Sequence, residues 1–187
     1  TLLETDQILL LGHSTGGFTS LSVAEKLPQH IKAMLILDGF HQGIWGMPLR
    51  SAQITARLPF VGKTLFMAYG SILSSNGLTF KAGFNLLAVK RRAMRQNPAY
   101  PMMLQVIRDA VIAGPIDANY PYYRYMPDID ILPRLTNIQT PTLIVHGDVD
   151  SIIHPQQAKD MQATLPNATL TWLESGHMPN LEAGDAY

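Results

Sequence analysis

Short apolar runs alternate with helix-like spacing in the first part of the chain. The run from Ile8 to Leu11 is continuously apolar and ends at Gly12, which is typical of a parallel strand buried on both faces. A helix is predicted over 15–27, because apolar residues recur there on one side and Pro28 ends it. A second buried strand is predicted over 33–37.

The same alternation returns in the last third of the chain. Residues 142–145 form a third apolar run, and Pro155 suits the first position of a helix. That helix carries apolar residues at helical spacing, namely Ala158, Met161 and Leu165. Residues 168–173 alternate between threonines and apolar residues, as in a strand with one more polar face. Strands alternating with helices predict an α/β fold with a mostly parallel sheet.

A long insertion interrupts this pattern between the second and third strands. The residues between Asp38 and Pro141 are rich in Met, aromatics and Pro, and 78–96 and 98–113 have helical spacing. We expect a helical cap lying over one end of the sheet. The predicted organisation is a core built from residues 1–40 and 136–187 with a cap over 41–135.

The position of the first strand leads to an expectation about the whole protein. A strand buried on both faces needs neighbours on both sides, and almost nothing precedes Ile8. We therefore expect a longer protein with further strands upstream, and we expect this segment alone to fold poorly or to catalyse weakly. The chain opens on Thr1 without a signal-peptide pattern, which favours a cytoplasmic location.

Composition narrows the classes of function. Fourteen Lys and Arg balance fourteen Asp and Glu, and a neutral chain has no net attraction for nucleic-acid phosphates or anionic lipid. The absence of cysteine excludes disulfides and thiolate sites. The six histidines lack ligand-like spacing, so we expect no metal, no cofactor and no nucleic-acid partner. The uncharged run 65–80 contains serines and is too short to span a membrane.

One motif carries a specific chemistry. Gly12-His13-Ser14-Thr15-Gly16 matches G-x-S-x-G, between a predicted buried strand and a predicted helix. A sharp turn there projects the Ser14 hydroxyl at the end of the strand, in front of the helix N-terminus. The unpaired N–H groups of that terminus favour a developing oxyanion.

A serine nucleophile needs a base and an acid to hold that base. In a strand–turn–helix setting the chain order is Ser, then Asp or Glu, then His. Asp148 and Asp150 follow the third strand, and His177 follows the last strand. Asp38, after the second strand, is the chief rival for the acid, although a capping role is favoured for it. Parallel strands bring these ends to one edge of the sheet.

Taken together, these motifs resemble the α/β-hydrolase fold superfamily. The elbow at Ser14, the run Pro141 to Asp150 and the pair Gly176-His177 are similar to its nucleophile, acid and histidine loops. The resemblance implies that Asp150, not Asp148, is the acid, since it lies three residues after Gly147. It also implies that the backbone N–H of Thr15 is one oxyanion donor, while a second would come from a segment before Thr1.

The resemblance implies a serine hydrolase with the catalytic residues Ser14, Asp150 and His177. The expected substrate is a small lipophilic or aromatic ester, or a related acyl compound, given the apolar cap. Two alternatives stay open: a C–C bond hydrolase of ring-cleavage products, and a ligand receptor with slow turnover. An arginine placed near Ser14 to hold a carboxylate would favour the C–C hydrolase. The sequence indicates no oligomeric state.

Overall fold

A four-stranded parallel sheet forms the base of the computed structural model, which describes residues 7–183. The strand order is β1-β2-β3-β4, and every pairing between neighbours is parallel. The elements in chain order are β1 (Ile8–His13), α1 (Thr15–Lys26), β2 (Ile31–Leu37), α2 (Leu49–Arg57), α3 (Gly62–Ser75), α4 (Gly77–Asn85), α5 (Arg91–Gln96), α6 (Tyr100–Ala113), α7 (Ile116–Tyr125), β3 (Thr142–Gly147), α8 (Pro155–Thr164), β4 (Ala168–Leu173) and α9 (Pro179–Glu182). Short 3₁₀ turns cover Pro28–His30, Met126–Asp128 and Leu132–Asn137.

The main core lies between one face of the sheet and the helices that follow its strands. Leu21 of α1 and Met161 of α8 are fully buried in one cluster with Ile36 and Ile144 from the two central strands. The predicted helices and strands of the outer thirds are all present, with ends shifted by one or two residues. The α/β prediction is confirmed.

The prediction that β1 is buried on both faces is wrong for the described residues. Leu9 and Leu11 are each 70% exposed, while Ile8 and Leu10, on the opposite face, pack against the main core. The reason is that α1 covers only one face of β1, and β1 is the outermost strand of the sheet that the described residues form.

Helices α2 to α7, residues 49–125, form a second layer, here called the helical layer. Helix α3 packs against α2, α4, α6 and α7. The predicted helical stretch 78–96 is two helices, because the chain breaks at Leu86 to Lys90. The backbone N–H groups of Val89 and Lys90 donate there to the carboxylate of Glu182 instead of continuing a helix. Within residues 7–183, no helix is both long and apolar enough to cross a membrane.

Candidate active site

Ser14 occupies a strained turn between β1 and α1. Its backbone has φ 54° and ψ −117°, a conformation that a non-glycine residue rarely adopts. Its N–H donates to the carbonyl of Leu37 at 2.9 Å, which ties the turn to β2. The side chain of Ser14 does not cap α1, and the N–H of Thr15 is the first of that helix. The turn therefore presents a hydroxyl beside helix N–H groups that lack a side-chain partner.

Two of the glycines around Ser14 are required by close backbone approach. A Cβ on Gly12 would lie 2.3 Å from the backbone of Gly16, and one on Gly17 would lie 2.9 Å from the Cα of Gly39. Gly16 itself faces open space. The small residues before and after the serine thus allow α1 to fold back tightly against β1 and the end of β2.

The three predicted side chains come together at the carboxyl edge of the sheet. His177 Nε2 lies 3.0 Å from Ser14 Oγ, and His177 Nδ1 lies 2.7 Å from Asp150 Oδ2. The other oxygen of Asp150 accepts from the N–H groups of Ile152 and Ile153 at 2.7 and 3.0 Å. Asp150 and His177 are buried. A continuous hydrogen-bonded chain therefore runs from a buried, held carboxylate to the serine hydroxyl.

The surroundings of His177 favour its charged form. Burial alone would lower the pKa of His177, but the hydrogen bond to Asp150 and the charges of Asp150 and Asp38 outweigh it, so that its pKa is raised. An imidazole in such a site accepts a proton readily and is stabilised once it carries one.

Asp38, the rival acid, lies at the same edge but does not reach His177. Its Oδ1 accepts from the N–H of Gly147 at 2.8 Å, and its side chain is completely buried. Burial, and then the charge of Asp150, raise the pKa of Asp38 to about 7. Asp148 accepts from the N–H of Ser175 at 3.2 Å. Of the three carboxylates, only Asp150 is hydrogen-bonded to the histidine.

Two further histidines brace this edge. His13 Nε2 donates to the backbone oxygen of His177 at 2.9 Å, and burial, with the nearby charge of His177, lowers the pKa of His13 to about 4. His146 Nε2 donates to the carbonyl of Ile153 at 3.0 Å, which supports the loop that carries Asp150. Both rings are therefore neutral supports in the physiological range.

Two sets of side chains bring possible metal-ligand atoms within 4.8 Å of one another: His13, Asp38 and His177, and Asp38, His146 and Asp150. Each set includes a residue of the hydrogen-bonded chain that ends at Ser14, His177 in the first set and Asp150 in the second. A cation bound there would compete with the hydrogen bonds of His177 or Asp150. That this site works without a metal stays a prediction.

Sequence reasoning missed Glu182. Its buried carboxylate accepts from the backbone N–H groups of Val89, Lys90 and Gly176 on one oxygen and from Met178 on the other, at 2.6–3.2 Å. One side chain thus fastens the histidine loop to the break between α4 and α5. No motif marks this residue, because its donors are all backbone groups brought together by the fold.

Tyr122 is the second residue that sequence reasoning missed. Its hydroxyl lies 2.7 Å from the Thr15 hydroxyl, across the boundary between α7 and the elbow. The contact joins the helical layer to the residue whose N–H is expected to hold the oxyanion. A tyrosine within an aromatic-rich insertion gives no signal of this role in the sequence.

A cavity of about 610 Å³ lies inside the helical layer. It is lined mostly by aliphatic and aromatic side chains from α2, α3, α4, α6 and α7, and none of the lining residues is charged. Ser14, Asp150 and His177 are not among its lining residues. Tyr123 lines it and is the chain neighbour of Tyr122, whose hydroxyl contacts Thr15. Its size falls within the range of small-molecule pockets.

Comparisons with known proteins identify the family and the fold. A family model described as the alpha/beta hydrolase fold matches residues 2–184. Lipase 1 of Psychrobacter immobilis is 25% identical over 178 residues, which cover 93% of this chain and 51% of the lipase. The chain therefore spans about half the length of this curated relative.

Solved structures share the fold at low identity. The enol-lactonase of Burkholderia xenovorans LB400 superposes with a TM-score of 0.70 at 19% identity, over 98% of this chain and 63% of that one. A variant of the meta-cleavage product hydrolase of Pseudomonas fluorescens IP01 superposes with a TM-score of 0.67 at 13% identity, over 98% and 62%. These likenesses concern the fold.

Proposed function

The chain belongs to the alpha/beta hydrolase fold family, and from that premise we propose that it is a serine hydrolase that cleaves a carboxylic ester or related acyl bond of a lipophilic substrate. The observation that carries the proposal is the chain of hydrogen bonds from Asp150 through His177 to Ser14, at 2.7 and 3.0 Å. At one end of this chain Ser14 lies in a strained turn, and at the other end backbone N–H groups bind Asp150. Nucleophilic catalysis by serine requires such an oriented hydroxyl, base and acid.

In the proposed reaction Ser14 Oγ attacks the substrate carbonyl carbon and its proton passes to His177 Nε2. The N–H of Thr15 donates to the oxyanion, and Asp150 stabilises the imidazolium. The C–O bond breaks, His177 gives its proton to the leaving alcohol, and an acyl-enzyme remains. Water then gives a proton to His177 and attacks the acyl carbon. The acyl-enzyme ester bond breaks, the carboxylic acid leaves, and His177 returns the proton to Ser14.

The apolar cavity supports the lipophilic substrate. An uncharged lining suits a neutral acyl or aromatic group, whereas burial of a carboxylate without a partner is costly. No arginine lines this cavity, whereas the C–C hydrolase alternative would need an arginine near Ser14 to hold such a carboxylate. The ester hydrolase is therefore the better-supported candidate.

Fluorophosphonate labelling tests the proposal, read by intact mass on the chain and on its Ser14→Ala variant. We expect one adduct on the parent and none on the variant, together with hydrolysis of p-nitrophenyl esters that improves from acetate to octanoate. An adduct that persists in Ser14→Ala would move the nucleophile elsewhere. A folded parent that takes no label would refute the hydrolase and favour a ligand receptor.

A further inference from the structure

Four polar side chains line the otherwise apolar cavity of the helical layer, namely Tyr69 of α3, Thr79 of α4, and Asn119 and Tyr123 of α7. The hydroxyl of Thr79 donates to two backbone carbonyl groups at 3.0 and 3.2 Å. The side chains of Tyr69, Asn119 and Tyr123 form no hydrogen bond with any residue of 7–183. Three of the four therefore have hydrogen-bonding capacity left for a ligand.

These three side chains lie together on one part of the cavity wall. Asn119 and Tyr123 are four residues apart on α7, so they share a side of that helix with Ile116, which also lines the cavity. Burial, and then the neighbouring Tyr122 and Tyr69, raise the pKa of Tyr123 to about 12. The influence of Tyr69 agrees with the packing of α3 against α7. Two hydroxyls and an amide thus meet among apolar side chains.

Tyr123 is the best-held donor of the three. Its ring contacts the rings of Trp45 and Phe66, with centroids 5.4 and 5.2 Å away, and these contacts fix its position. With its pKa at about 12, the hydroxyl keeps its proton in the physiological range and donates it in hydrogen bonds. A partly buried hydroxyl without a partner is costly, and an acceptor on a ligand would remove that cost.

The cavity reaches the surface on the outer side of α3. Leu65, Tyr69 and Ile72 recur on that side at spacings of four and three, and all three are exposed, Ile72 by 62%. Tyr69 and Ile72 also line the cavity. A small molecule can therefore enter beside the hydroxyl of Tyr69.

We propose that the cavity binds a lipophilic group that carries a keto or ether oxygen, and that the Tyr123 hydroxyl donates to this oxygen. The inference rests on the proposed function in one respect, since the group is part of the ester that Ser14 attacks. A plain hydrocarbon fits less well, because it leaves all three polar side chains unpaired. A carboxylate or phosphate fits less well, because no cation lines the cavity.

Displacement of the neutral dye N-phenyl-1-naphthylamine from the full chain carrying Ser14→Ala tests the inference without turnover. Two competitors share one skeleton: 2-nonanone, and 2-methyl-1-nonene, in which a CH2 group replaces the carbonyl oxygen. Adding Tyr123→Phe should weaken binding of the ketone about fivefold, because it removes one hydrogen bond and keeps the ring. Binding of the alkene should change by less than about twofold.

Tyr120→Phe is the matched control. Tyr120 lies on the same helix and its ring also contacts Phe66, at 5.8 Å between centroids, but it does not line the cavity. It should leave the binding of both competitors unchanged. The proposal is overturned by a dye that does not bind or that the ketone does not displace. It is also overturned if Tyr123→Phe weakens ketone and alkene alike, or if Tyr120→Phe has the same effect as Tyr123→Phe.

Hydrolysis of p-nitrophenyl octanoate by the parent separates this inference from the proposed function. If the ester is cleaved but Tyr123→Phe has no ketone-selective effect, the inference fails and the hydrolase stands. If the ketone-selective loss is found in a chain that cleaves no ester, the binding site stands and the hydrolase fails.

Discussion

The edge of the sheet and the helical layer hold their functional groups in different ways. At the sheet edge Ser14, Asp150 and His177 each follow a strand, and backbone hydrogen bonds fix the turns that carry them. The helical layer offers a cavity, an exposed apolar face and a charge of +8, but no hydrogen-bonded chain of this kind among its described residues. The comparison teaches that the edge holds the groups of the proposed chemistry, whereas the layer encloses an apolar cavity.

Two of the contacts that join the two regions involve groups next to the site. Glu182 binds the backbone of both regions, and the Tyr122 hydroxyl meets Thr15. Changes at the sheet edge should therefore alter the rate, and changes at the junction should alter stability and rate together. The following predictions test this division, from the largest effect to the smallest.

The largest effect is expected from the carboxylate that touches the histidine. Asp150→Asn should lower kcat for an ester about 10⁴-fold, because the amide no longer fixes and stabilises the imidazolium. Asp38→Asn is the matched change at the neighbouring strand and keeps an oxygen for the N–H of Gly147. It should retain activity within about tenfold. Steady-state kinetics of both variants gives the two values of kcat. A larger loss in Asp38→Asn than in Asp150→Asn would identify Asp38 as the acid.

Glu182→Gln should destabilise the protein. The NH2 group of glutamine cannot accept a hydrogen bond, so a backbone N–H that donates to the carboxylate in the parent would lose its acceptor. We expect a loss of about 2–3 kcal/mol in the free energy of unfolding and a lower kcat, since the histidine loop loosens. Urea unfolding followed by circular dichroism measures the first quantity.

Glu25→Gln is the control for this change, because Glu25 contacts Arg134 at 3.5 Å near the surface. It should alter stability by less than about 1 kcal/mol. Equal effects of the two substitutions would show that Glu182 does not fasten the junction.

The pH dependence of kcat/KM should report the raised pKa of His177. Only the neutral imidazole can take the proton of Ser14, so activity falls as pH decreases through that pKa, and the midpoint lies above the usual value of about 6.5. Asp38→Asn removes one of the charges that raise the pKa and should move the midpoint down. A midpoint below about 6.5 in the parent would contradict the electrostatics described for His177.

The smallest effect is expected at Tyr122. Tyr122→Phe should lower kcat/KM by about threefold to tenfold, since it removes one hydrogen bond to Thr15. Thr15→Val removes the same bond from the other side. A double-mutant cycle should return a coupling free energy of about 1 kcal/mol. A coupling near zero would mean that the helical layer does not influence the elbow through this contact.

The sequence alone determined the fold class and the three residues at the sheet edge. Its information is local there: an apolar run ended by Gly12, a serine between small residues, and carboxylate and histidine directly after strands. Parallel strands bring their carboxyl ends to one edge whatever the detailed packing, so the closeness of Ser14, Asp150 and His177 followed from topology.

Tertiary structure alone decided where Glu182 binds and which side of α3 stays uncovered. The run at Ile8 was predicted to be covered on both faces, yet Leu9 and Leu11 are exposed, because burial depends on neighbours that a strand's own sequence does not specify. The total charge of zero conceals a charge of +8 on residues 49–125, but a count along the sequence reveals it. Contacts between residues far apart in sequence depend on how the elements pack, and no local pattern records them.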